Sequence, residues 1–220
     1  MSGVLVGVAC SVEARYSAFS ESLANLWKPP GSVVRFRAGI DIGANRNNIV
    51  REALVGGFDY VWFVDDDMVF EENHLHRLLG HSVPVVASLY LNRKPPHYPV
   101  AFNGHTIVEG QPVWHPVSLF GAPDQGLVEI VGAGTGGMLV RTDVFRAIEY
   151  DTWFDHHQST DDLAFCQRVH AAGFPIFLDL EATMGHISTY EVWPVRQDQQ
   201  GWGASLKLSE KDSIPLKLGD

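Results

Sequence analysis

The stretch Tyr60-Val61-Trp62-Phe63-Val64-Asp65-Asp66-Asp67 decides how the rest of the chain is read. An apolar run of this length makes a buried strand, and here it stops in three consecutive carboxylates. Several negative charges at one sheet edge repel one another and call for a cation. Hard oxygen ligands favour Mg²⁺ or Mn²⁺ over zinc, and such ions keep open positions for water or substrate phosphates. A nucleotide diphosphate is then the natural third party. The competing explanation is a strand-end turn whose acids cap the next helix, since Glu71-Glu72-Asn73 follow. Capping needs one Asp and leaves two unexplained.

Upstream, Val4 to Ala9 reads as a buried strand. A helix with Tyr16, Phe19, Leu23 and Leu26 on one side follows it, with Ser11 as its expected cap and Pro29-Pro30-Gly31 as its stop. Val33 to Phe36 reads as a short strand. Arg46 to Val55 reads as a second helix carrying Ile49, Val50, Ala53 and Leu54, stopped by Gly56-Gly57. This βαβαβ order predicts a mostly parallel α/β sheet flanked by helices, with right-handed crossovers. The aspartates then lie at the carboxyl edge, where open α/β sheets bind ligands.

Downstream, a helix over Leu75 to Leu79 and a strand over Val83 to Tyr90 precede a loop-and-hairpin region marked by prolines from Pro95 to Pro123. Val128 to Val140 reads as one strand with a glycine-rich middle, Thr142 to Ile148 as a short helix and Thr160 to Ala171 as an amphipathic helix. Pro175 to Leu178 reads as a further strand. The tail from about Glu191 has weak periodicity. The organisation expected is one domain over 1–220, with a nucleotide-binding half (1–90), an acceptor-side half (91–190) and a tail (191–220).

A chain of 220 residues with 45% hydrophobic and 19% charged content can bury a full core. Its net charge of −10 opposes general attraction to nucleic acid or anionic membrane. Cys10 and Cys166 stand in neither a CxxC nor a disulfide-dense context, so they read as buried free thiols in a reducing compartment. No apolar stretch reaches the roughly 18 residues of a membrane span, and the expected location is the cytoplasm.

Gly132, Gly134 and Gly137 match GxGxxG, but a dinucleotide fingerprint opens a helix, and these glycines run into Met138-Leu139-Val140. Glycines inside a strand mark close approach of a ligand or another backbone. Asp65-x-Asp67-x-Val69 also fits the opening motif of haloacid-dehalogenase-like phosphatases, although that motif sits on the first strand of its family and needs a lysine, for which Lys94 is the central candidate. Asp161-Asp162, after Ser159-Thr160, either decorates a helix start or accepts a proton from a bound hydroxyl beside Trp153 and Phe154. His186 follows a strand and a small-residue turn that would return an imidazole to the carboxylate edge, which suits Mn²⁺. His74, His76 and His81 read as surface residues.

In this order, Arg46-Asn47, Asp65-x-Asp67, the glycine-rich GAGTGGMLV, Trp153-Phe154, Asp161-Asp162 and His186 resemble the GT-A glycosyltransferases, over most of the chain. The resemblance implies a GT-A-like fold and a DxD motif. It assigns Arg46, Asn47, Asp65 and Asp66 to the nucleotide-sugar donor, and Asp65, Asp67 and His186 to a divalent metal, Mn²⁺ or Mg²⁺. Gly136, Gly137, Trp153 and Phe154 fall to the acceptor, and Asp162, with Asp161 beside it where Glu is usual, to the base of an inverting transfer. It also implies a compact bacterial or viral enzyme, in the host cytoplasm if viral. The acceptor is left open among protein, glycan, small molecule and modified nucleobase. A module that binds a nucleotide sugar without turnover is the non-enzymatic alternative.

Overall fold

The computed structural model describes residues 3–11, 16–120, 122, 125–149, 152–155, 160–188, 191–196, 201–207 and 213–216. Its first half runs β1 (Val4–Cys10), α1 (Ser17–Asn25), β2 (Val33–Ala38), α2 (Ile42–Gly56), β3 (Tyr60–Asp65), β4 (Met68–Val69), α3 (His74–Gly80) and β5 (Val85–Leu89). Then come β6 (Ala101–Val108), β7 (Gln111–Pro116), β8 (Leu127–Ile130), β9 (Gly132–Ala133), β10 (Gly137–Arg141), α4 (Thr142–Ala147) and α5 (Asp161–Ala171). The chain closes with β11 (Ile176–Thr183), β12 (Gly185–Ile187), β13 (Glu191–Arg196), β14 (Trp202–Lys207) and β15 (Ser213–Leu216).

A seven-stranded sheet in the order β2-β1-β3-β10-β5-β11-β8 forms the centre. β1 is parallel to β2 and β3, and β5 to β11, while β10 is antiparallel to both β3 and β5, and β8 to β11. Five strands therefore share one direction and the sheet is mostly parallel. Both of its faces are covered, which is why β3 is apolar throughout instead of alternating. Val61 and Phe63 join the cluster containing Ile49, Phe145 and Phe165, and Trp62 and Val64 join the cluster containing Phe19, Leu75 and Leu78. Each such side chain contributes about 1.5–3 kcal/mol when fully buried. Because β10 starts where β3 ends, with Gly137 opposite Val64, the glycine loop before it arrives at the same edge as Asp65.

A second sheet, β15-β14-β13-β12-β4, grows from that edge, and a three-stranded sheet, β7-β6-β9, forms the expected hairpin region. Several sequence expectations change here. The second helix begins at Ile42, four residues before Arg46, because Asp41 caps it by accepting from the Ala44 N–H at 2.9 Å. It ends as expected, with Gly57 at φ 69°, a left-handed position that suits glycine. Ser11 does not cap α1, whose N-cap is Tyr16. The single strand expected over 128–140 is three strands, since the glycine loop breaks it. The tail, whose weak periodicity predicted no element, supplies β13, β14 and β15. His74 is a core residue bonded to Ser88 Oγ at 2.8 Å, and burial lowers its pKa to about 4. His81 is half-buried against Asp179, and of the three histidines expected at the surface only His76 is exposed. Cys10 and Cys166 are buried free thiols, and burial pushes the Cys166 thiol up to about 12. Among the described residues no helix is long and apolar enough to cross a membrane.

Candidate active site

Asp65 ends β3, and Asp66 and Asp67 form the turn into β4, so the three aspartates stand at the carboxyl edge. None of them caps α3, whose N-cap is Asn73. The two acidic clusters of the sequence are joined by Arg46, which projects from the second turn of α2. Its Nη2 donates to Asp65 Oδ1 at 3.1 Å and its Nη1 to Asp161 Oδ2 at 2.5 Å. Arg46 is only 6% exposed. Burial alone would lower its pKa, but the surrounding carboxylates Asp65, Asp161 and Asp162 outweigh that and hold it above its ordinary value. Asp65 is raised above the usual carboxylate range by burial and by the charge of Asp67, against the pull of Arg46.

Asp162 follows at the start of α5. Its Oδ1 accepts from Thr160 Oγ1 and from the Leu163 N–H at 2.9 Å. Its other oxygen, Oδ2, lies toward the glycine loop, 3.4 Å from where a Cβ at Gly134 would stand. Burial raises its pKa, opposed by Arg46. A carboxylate with one oxygen anchored, the other turned to the glycine loop and a raised pKa has the properties of a general base.

Asn47, Trp153 and Phe154 form a latch. The Asn47 Oδ1 accepts from the Trp153 and Phe154 N–H groups at 2.9 and 3.0 Å, and its Nδ2 donates to the Phe154 carbonyl at 2.8 Å. The two aromatic rings, 8% and 1% exposed, lie in the core, with Phe154 stacked on Phe165 at 4.5 Å. The amide of Asn47 is thus committed to the backbone that leads toward α5, and the aromatic pair packs inward. The loop glycines are likewise placed by packing. A Cβ on Gly137 would meet Met184 Sδ at 2.3 Å, and one on Gly134 or Gly136 would meet Tyr90 Oη at 2.2 or 3.0 Å.

His186 is brought to the edge by sheet pairing. β12 pairs with β4, His186 lies opposite Met68, and the Ile187 N–H donates to the Asp67 carbonyl at 2.7 Å. The His186 Nδ1 stands 2.8 Å from the Leu91 carbonyl, which can only accept, so Nδ1 carries the proton and Nε2 faces Asp67 Oδ2 at 3.5 Å. Nε2 is thus the ring nitrogen turned to the Asp67 carboxylate. Adjacent ligands of one ion at about 2.1 Å lie roughly 3 Å apart, so Asp67 and His186 fit as two protein ligands of a divalent cation. They do not extend to a three-residue set: among the described residues no three His, Cys, Asp or Glu are grouped to hold a metal ion. Asp65, expected as the third, is paired with Arg46.

Sequence reading missed two residues here. Tyr90, one residue past β5, accepts from the Gly136 N–H at 3.3 Å, and its ring meets His186 edge-on at 5.6 Å. Burial, then the charges of Asp65 and Asp162, raise its pKa well above the ordinary value. Arg93 donates from Nη1 to Asp67 Oδ2 at 2.8 Å. Both lie just beyond the carboxyl end of a central strand, the signal by which they were legible. Lys94, which a phosphatase would need near its aspartates, is exposed on the loop.

No family model matches the chain, and no curated protein does. Solved structures do. The crystal structure of A197 from STIV superposes with a TM-score of 0.62 at 13% identity, over 97% of this chain and 98% of that one. S. aureus TarS residues 1–349 in complex with UDP-GlcNAc superpose at 0.51 and 16% identity, over 81% of this chain and 56% of that one. The same protein in complex with UDP gives 0.51 at 17% identity. The likeness is one of fold. It agrees with the mostly parallel α/β sheet and is compatible with a GT-A-like arrangement.

Proposed function

We propose that the protein is a metal-dependent glycosyltransferase that moves a sugar from a nucleotide-diphosphate donor to an acceptor hydroxyl with inversion. The observation that carries this reading is the convergence, at one sheet edge, of Asp65 at the end of β3 and Asp67 in the turn after it with Asp161 and Asp162 from α5, Arg46 joining Asp65 to Asp161. The fold shared with a protein solved in complex with UDP-GlcNAc supports a nucleotide sugar as the donor.

In this reading Arg46 fixes the distance between the donor-side carboxylate and the helix that carries the base. Asp67 and His186 would hold the divalent ion, Mn²⁺ or Mg²⁺, which supplies charge neutralisation to the departing diphosphate. Asp162 takes the proton of the acceptor hydroxyl through Oδ2 as that oxygen bonds to the anomeric carbon from the face opposite the diphosphate. The sugar C–O bond breaks, its electron pair leaves on the nucleoside diphosphate, and the configuration inverts. Thr160 and the Leu163 N–H hold Oδ1 so that the basic oxygen stays turned to the glycine loop.

The test is a thermal-shift panel of nucleotide sugars, beginning with UDP-GlcNAc, with and without MnCl₂, on the wild type and Asp67→Ala. A binding donor raises stability by about 2.7 kcal/mol at a hundredfold excess over Kd. The expected result is a shift that needs Mn²⁺ and disappears in Asp67→Ala. A panel without any shift, or an Asp67→Ala protein that shifts like the wild type, overturns the reading. Binding without release of nucleoside diphosphate, with acceptors supplied, marks a non-catalytic module.

A further inference from the structure

Arg93 is a charged group of the cleft to which the proposed reaction gives no task. We infer that Arg93 is an exchangeable counter-ion, which neutralises Asp67 until the donor binds and then passes to the donor's diphosphate as a divalent cation takes its place. The inference rests on the nucleotide-sugar reading of the cleft and adds a residue and an order of events to it.

Three features of the structure converge on it. First, Arg93 Nη1 and His186 Nε2 address the same oxygen, Asp67 Oδ2, at 2.8 and 3.5 Å. A cation held between Asp67 and His186 would lie within a few ångströms of the guanidinium, and two positive charges at that separation repel strongly in a partly buried site. Guanidinium and metal are therefore alternatives at Asp67. Second, the two arginines of the cleft differ in freedom. The Arg46 side chain is 7% exposed and bound at both ends of its fork, whereas that of Arg93 is 46% exposed. A half-exposed ion pair is weak and is exchanged at little cost.

Third, the backbone under Arg93 is fixed where the side chain is not. Leu91 bridges to Pro99, its carbonyl anchors His186, and Asn92 closes the loop with bonds to Tyr98 N–H and the Lys94 carbonyl. The arginine stem thus pivots from a rigid base beside the metal position. Arg93 puts positive charge beside Asp67 at the carboxyl edge of a chain whose net charge is −10. That edge is where such sheets place phosphates, and the planar fork of arginine matches phosphate oxygens two at a time.

The experiment measures two affinities by titration calorimetry on the wild type, Arg93→Ala and Arg93→Lys: MnCl₂ alone, and UDP in saturating MnCl₂. Removing the guanidinium should weaken UDP by roughly ten- to a hundredfold, the range for a charge-assisted hydrogen bond. The same change should tighten Mn²⁺ several-fold, because the competing cation is gone. Arg93→Lys, which keeps the charge but not the fork, should fall between the two on UDP. These opposite signs set exchange apart from a structural role, which would move both affinities the same way or neither. Unchanged UDP affinity in Arg93→Ala overturns the inference. So does weaker UDP binding with unchanged or weaker Mn²⁺ binding, which marks Arg93 as a fixed phosphate ligand. A wild type that binds Mn²⁺ but neither UDP nor UDP-GlcNAc sinks the transferase reading and this one with it.

Discussion

Replacing Arg46 with Met removes the charge that joins the two acidic clusters while keeping most of the side-chain volume. Asp161 is then left with a 9% exposed side chain and no cation, and Asp65 loses its partner at 3.1 Å. Breaking a buried ion pair from one side costs about 3–5 kcal/mol. The lower end applies here, roughly 3 kcal/mol, because the Asp65 side chain is 33% exposed and water screens it. The cost depends on pH with a definite sign. Without Arg46, burial and the charge of Asp67 act unopposed on Asp65, whose folded pKa moves further above the unfolded value of about 3.9. Such groups favour folding below the unfolded pKa and lose that contribution as pH rises through the folded one. The gap between wild type and Arg46→Met should therefore be widest near pH 7.5 and shrink toward pH 5. Urea denaturation at both values measures it. A gap below about 1 kcal/mol, or one of equal size at both pH values, would refute the account of Arg46 as the neutralising link.

Two further outcomes are expected. Asp162→Asn keeps an acceptor for Thr160 and the Leu163 N–H but cannot take a proton, so turnover with a true acceptor should fall by roughly 10²–10⁴ with donor affinity nearly unchanged; near-normal turnover, or a product of retained configuration, removes it as the base. Far from the cleft, Asp179 is fully buried, and burial opposes its charge. His81, the Glu181 N–H and Arg77 nonetheless hold its pKa below the usual carboxylate range. It stabilises the fold above the unfolded pKa and loses that contribution as pH falls through the folded one. Asp179→Asn should therefore be destabilised by about 1–3 kcal/mol at pH 7, with the difference from wild type shrinking below about pH 4 in denaturation curves.

The first half of the fold was legible because its signals are local. An apolar run between glycine and aspartate is a buried strand in almost any context, and β3 ends at Asp65 as read. α2 was cut short because Ala38-Gly39-Ile40-Asp41-Ile42-Gly43 looks like a loop until Asp41 is seen to cap it. The tail strands were missed for a different reason. β13 alternates half-buried with buried residues, but only a neighbouring strand decides whether so short a run pairs, and β14 begins only at Trp202. His74 shows the same limit, since helical spacing suggested the surface and could not show that Ser88 waits on β5 to receive it in the core.

For the site, the sequence named the acidic residues that the structure brings together through Arg46, but not how they are divided between partners. Three aspartates in a row were read as a demand for a metal, yet only Asp65 lies on the strand, and the turn at Asp66 and Asp67 re-aims the chain. Asp65, still on β3, pairs with Arg46 from α2, and Asp67, two residues on, faces β12 and His186. Each carboxylate thus has its own solution to the same electrostatic problem. One is permanent, since Arg46 is buried and doubly bound, and it ties the edge of the sheet to α5. The other is held by an arginine that solvent can reach, so it is the one an incoming cation can take over. An aspartate cluster whose neutralisation is half built in and half exchangeable has little reason to exist as a fold-stabilising device, because two well-packed apolar residues would serve that end better. It makes sense at a place where charge must arrive, be held and leave with each turnover.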